Sequence, residues 1–140
     1  GAAEKPPFLL RVHLQAPEGA KGMVSVPVTL FQPNETIAIQ SLPEVSEREI
    51  RRISTRADGT ILVEFDGVGQ TKLEAGTSTG RGFILVVLVN GRVVYAPRID
   101  TVITNGSILL PPGAVTPEEI AQVNGQVEKE RGEKLKDLNH

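Results

Sequence analysis

Residues 83–97 read Phe83-Ile84-Leu85-Val86-Val87-Leu88-Val89-Asn90-Gly91-Arg92-Val93-Val94-Tyr95-Ala96-Pro97. The apolar run Phe83 to Val89 is far shorter than the roughly 20 residues of a membrane span. It is rich in β-branched residues and shows no polar alternation. That pattern predicts a central strand buried on both faces. Asn90-Gly91 follows directly, and both residue types tolerate the positive φ angles of a two-residue hairpin turn. Arg92 to Tyr95 is then the return strand, closed by Ala96-Pro97.

Working outward, Thr60 to Asp66 predicts a strand with Ile61, Val63 and Phe65 on one face. Gly67, Gly69 and Gly76 weaken a helix by ~1 kcal/mol each, so only a short helix is expected, over Gln70–Ala75. Ser46-Glu47-Arg48-Glu49 has capping-box spacing, with Val45 and Ile50 at the staple positions. A helix over Glu47–Ser54 is expected, with Ile50 and Ile53 inward. Phe8, Leu10, Val12 and Leu14 alternate, as do Val24, Val26, Val28 and Leu30. Both read as half-buried strands, and Pro27 places the second at an edge. Ile37 and Ile39 suggest a short third strand, and Ser107 to Leu110 a late one. Thr116-Pro117-Glu118-Glu119 opens the last helix with a second capping box and Pro at the first helical position. Ile120, Val123 and Val127 form its buried stripe. The sum is an α+β fold, a mainly antiparallel sheet with two capped helices packed on it.

A length of 140 residues suits one domain. It is expected over residues 8–127, after a disordered or expression-derived lead-in at 1–7. Residues 128–140 are expected to form a charged helix end or tail. No repeat of 20–50 residues is visible. The chain opens on Gly1-Ala2 rather than Met, which reads either as a start downstream of a removed signal peptide or anchor or as a plain internal domain boundary. The absence of cysteine excludes disulfides, thiolate zinc sites and a cysteine nucleophile. A formal charge of −2 excludes a strongly basic nucleic-acid domain. No metal-motif spacing occurs, and no cofactor or metal is expected.

Few residues carry chemistry. Glu64 and Asp66 share a strand face and could form an acid/base pair, but a solvated outer face explains them better. His13 reads as an exposed strand histidine, and His140 is the last residue. Arg48, Arg52 and Arg56 share an i, i+4, i+8 stripe if the first helix forms, and could meet an acidic partner. Nearby Glu44, Glu47 and Glu49 offset them. The run Gly76-Thr77-Ser78-Thr79-Gly80-Arg81-Gly82 could cradle an anion with its amides, using Thr77, Ser78 and Arg81. A turn between strands competes with that reading. Val102, Ile103, Leu109 and Leu110 flank Thr104-Asn105-Gly106 as an apolar loop that could contact a partner or fold back on the sheet.

Four blocks in sequence resemble a known family. Gly69-Gln70-Thr71-Lys72-Leu73-Glu74-Ala75-Gly76-Thr77 resembles a G-A-x-K-F-x-x-x-T helix. Leu88 to Ile99 resembles a V-L-D-G-x-V-x-S-A-P-x-I hairpin. Ile103-Thr104-Asn105-Gly106-Ser107 resembles an I-x-x-G-x segment, and Thr116 to Ala121 resembles an F-T-x-E-E-A helix start. Together, from Thr60 to about Val127, they resemble the head subdomain of the first periplasmic domain of SecD, of the SecDF accessory complex of bacterial protein export. The chain departs from it at Asn90, where the family has Asp, and at Leu110 to Thr116, where the family has I-T-G-x-F-T.

The resemblance implies an extracytoplasmic, non-catalytic module that contacts polypeptide or an envelope protein. The membrane would be reached only through a removed anchor. The expected contact residues are Tyr95, Val102, Ile103, Leu109 and Leu110. A small-anion site at 76–82, an enzyme using Glu64 and Asp66, and a structural spacer remain as alternatives.

Overall fold

The computed structural model describes residues 7–30 and 35–138, so His140 and most of the lead-in lie outside the described residues. Nine strands and two α-helices follow in order: β1 Leu10–Leu14, β2 Met23–Val28, β3 Glu35–Gln40, β4 Val45–Ser46, β5 Ile50–Thr55, β6 Ile61–Phe65, α1 Gly67–Thr79, β7 Leu85–Val89, β8 Arg92–Tyr95, β9 Ser107–Leu110 and α2 Pro117–Leu138. They form three antiparallel sheets of order β4-β1-β7-β8, β5-β6-β9 and β2-β3.

The predicted hairpin is present. Asn90 (φ 49°) and Gly91 (φ 83°) form the two-residue turn, and Val89 pairs with Arg92. β7 lies between β1 and β8 and is covered on both faces, which accounts for its unbroken apolar sequence. Leu85, Val87 and Val89 face the main core with Leu10, Val12 and Leu14 of β1. Ile53, Ile61, Val63, Ile108 and Leu110 meet them from the three-stranded sheet, with Leu73 of α1 and Val123 of α2. On the other face Ile84 and Val86 meet Val28, Ile37 and Ile39 of the β2–β3 hairpin, forming a second, smaller core. Full burial of one such side chain stabilises by about 1.5–3 kcal/mol.

The helix expected over Glu47–Ser54 is absent. The capping box forms, with the Ser46 N–H donating to Glu49 Oε1 (3.2 Å). It opens only one 3-10 turn, Glu47–Glu49, before Ile50 turns extended at φ −74°, ψ 128°. The i, i+3 spacing of Ile50 and Ile53 suggested a helix. A β-bulge between Ile50 and Arg52 produces the same result in a strand. Its extra residue, Arg51, lets both isoleucines face the core.

α1 is longer than expected, because its glycines are packing surfaces rather than breaks. A Cβ on Gly69 would lie 2.7 Å from the Phe65 Cβ, and one on Gly76 would lie 2.8 Å from Glu44 Oε2. Asp66 caps the helix, accepting from the Gly69 N–H at 2.8 Å. Within β2, Pro27 is exposed on an edge strand as expected. Leu30 lies beyond the strand end and is exposed instead of buried.

Candidate functional site

The structure disperses the candidate acid/base pair. Asp66 is occupied as the α1 cap, while Glu64 lies 3.8 Å from the Arg51 guanidinium. Among the described residues no three His, Asp or Glu side chains converge so as to hold a metal.

His13 is buried, not exposed, because the β2–β3 hairpin covers its side of β1. Its Nδ1 lies 2.8 Å from the Gln40 carbonyl oxygen. A carbonyl only accepts, so Nδ1 carries the proton. Burial pushes the neighbouring Glu44 carboxyl above its ordinary pKa, and the charge of His13 offsets part of that rise.

The anion loop is also corrected. Thr77 to Thr79 belong to the last turn of α1, and Thr77 is fully buried. Its Oγ1 donates to the Leu73 carbonyl (2.8 Å) and accepts from the Ile103 N–H (2.9 Å). Ser78 and Arg81 are exposed. A helix C-terminus presents carbonyls and negative potential, the opposite of an anion cradle. The arginine stripe fails with its helix. Arg51 and Arg52 stand instead with Arg131 of α2 around a polar groove of about 630 Å³. Glu64 and Glu128 in the same lining offset their charge.

Of the expected contact residues, Leu110 is withdrawn. Its register opposite Ile61 points it into the main core, where it is 1% exposed. Leu109, one residue earlier, faces out at 42% exposure and pairs with Leu62. Tyr95 and Ile103 are half-buried against the main core, and Val102 is half-buried. The hairpin tip is held in place rather than free. Arg92 forks onto Glu119 (2.7 and 3.2 Å), Asn90 also donates to Glu119, and the Leu9 N–H donates to Asn90 Oδ1 (2.9 Å). The Arg92 guanidinium holds the Glu119 carboxyl down at about 2.

A groove not foreseen in the sequence lies between the β2–β3 hairpin and the β1–β7 face. It measures about 240 Å³ and is lined chiefly by Leu9, Val24, Val26, Ile39 and Leu88, with Arg11 and His13 beside them. Burial along β2 is graded, from Val28 (0%) through half-buried Val26 to Val24 (49%). The hairpin is thus seated at Val28 and open at Val24. The one sequence signal was the valine alternation, which implies an apolar surface for β2 to face.

No family model and no curated protein matches this chain. Solved structures align with it, among them the following two. The first is described as SecDF, a membrane component that enhances protein export. It aligns over 84% of this chain and 60% of its own length, at 17% identity and TM-score 0.59. The second is SecDF in a super-membrane-facing form, with 83% of this chain, 18% of its own length, 21% identity and TM-score 0.59. The chain therefore spans at most 60% of the length of these structures. The shared property is the fold, and the SecD-like α+β architecture expected from the four sequence blocks is found. Among the described residues no helix is long and apolar enough to cross a membrane.

Proposed function

We propose that this chain is a non-catalytic, extracytoplasmic binding module that contacts unfolded polypeptide within an export-type assembly. The carrying observation is the open apolar groove between Val24, Val26, Ile39 and Leu88. It has the chemistry to take aliphatic side chains, and its polar groups make no catalytic constellation. The SecD-like fold supports the assignment, because the aligned SecDF is described as enhancing protein export. Exposed Leu109, paired with half-buried Leu62, offers a second apolar patch on the outer face of the three-stranded sheet.

The test is an amide NMR titration with an unfolded, export-type polypeptide. Shifts at Val24, Val26, Ile39, Leu88 and Gly91 are expected. Shifts confined to Tyr95–Leu109 would keep the function and move the site. No shifts at high polypeptide concentration would overturn the function.

A further inference from the structure

The hydrogen-bonding parity of β2 leaves an open edge beside the groove. The Ser41 N–H donates to the Gly22 carbonyl at 3.1 Å. In the same register Val24 faces Ile39 and Val26 faces Ile37. Antiparallel pairs alternate between bonded and non-bonded. The backbone groups of Met23, Ser25 and Pro27 therefore point away from β3. Among the described residues β3 is the only sheet neighbour of β2.

Two other edges carry guards. At β5 the Asn124 side chain satisfies both outward groups of Ile53, accepting from its N–H (2.9 Å) and donating to its carbonyl (2.8 Å). At β9 the outward Ser107 N–H donates to Asn105 Oδ1 (3.1 Å). The Phe65 N–H to Gly106 carbonyl bond fixes that parity, so the next outward position after Leu109 is Pro111, which has no N–H. Pro27 is the only such device on β2, and it leaves Met23 to Val26 open.

We infer that β2 accepts an extended segment of unfolded polypeptide as an added strand, with aliphatic residues at alternate positions. The inference rests on the polypeptide-binding reading and specifies its mode. Strand addition supplies main-chain hydrogen bonds, and a pocket for alternate side chains supplies preference. Side chains of the added strand on the Val24–Val26 face would point toward half-buried Leu88 and Val93, extending the second core. A second copy of this chain fits less well when the two β2 strands pair about Ser25. Twofold pairing centred on Ser25 sets each Pro27 opposite Met23, where the missing N–H leaves a Met23 carbonyl unbonded.

The probe is a ten-residue peptide alternating valine with threonine or lysine. Peptide at saturation should slow amide exchange of Met23 and Ser25 in the wild-type chain by about tenfold or more. Ser25→Pro removes an outward N–H without breaking a β2–β3 hydrogen bond and should weaken peptide binding about tenfold. Unchanged exchange at these two amides with peptide bound overturns strand addition while polypeptide binding stands. So does wild-type affinity in a folded Ser25→Pro variant. If the variant does not fold, the exchange measurement decides alone. No binding of peptide or unfolded polypeptide to the wild-type chain overturns both readings. Concentration-dependent dimerisation that protects Met23 and Ser25 without peptide overturns the choice of occupant.

Discussion

The two apolar cores of this protein are built differently. The main core is enclosed by two sheets and two helices, and one open edge around it is closed by a side-chain amide, Asn124. The second core is a single hairpin laid on one face of the β1–β7 sheet, tight at Val28 and open at Val24. The first spends its apolar residues on stability. The second leaves part of its apolar surface and one strand edge available, as a segment drawn from the low-stability end of a fold would.

The largest expected effect contrasts two adjacent leucines. Leu110→Ala should cost about 2–5 kcal/mol of unfolding free energy, as buried leucine truncations do. Leu109→Ala should stay within about 0.5 kcal/mol, as exposed substitutions do. Denaturant unfolding checks both, and equal losses would break the assigned register of β9. Next, Val28→Ala should remove about 1.6 kcal/mol, roughly two methylenes of burial. Amide exchange should then quicken across β2 and β3 far more than across β1 and β7. Equal quickening would mean that the two cores unfold as one.

A further effect is in pH. Glu119 has a folded pKa of about 2, below its unfolded value. The stability it contributes is fully present above about pH 4.3 and is lost as pH falls toward 2. Glu119→Gln should flatten that part of the acid-unfolding profile. Glu44 is raised, so its contribution has the opposite sign. It is present below the ordinary glutamate pKa and lost as pH rises through the folded value. Glu44→Gln should remove that slope, while leaving the Glu119 region of the profile unchanged.

Much of the fold could be read from residues 83–97, because a continuous apolar strand and an Asn-Gly turn have few alternative structures. The misreadings share a cause. Ile50 and Ile53 carry a helical spacing that a bulge can also satisfy, and no local signal announces a bulge. Gly69 and Gly76 looked like helix breakers because their role, close approach to Glu49 and Glu44, involves residues distant in sequence. His13 looked exposed because alternation along β1 does not say that a second layer lies beyond. The two-residue period did contain the Leu109/Leu110 distinction, since adjacent strand residues face opposite sides. The groove was illegible because it is a gap between layers, set by how far the hairpin splays.

The placement of β1 has a consequence in time. It is the first strand among the described residues, yet it lies between β4 and β7, with Leu10 opposite Val89. Its partner on that side is not available until the intervening residues 15–84 have been made. Contacts so distant in sequence must meet the cost of closing a large loop before they stabilise anything, which slows folding. A chain delivered from its N-terminus would therefore hold β1 unpaired on its β7 side until Val89 had emerged. Its folding rate should depend on how soon residues 85–89 become available, more than on any step within the first half.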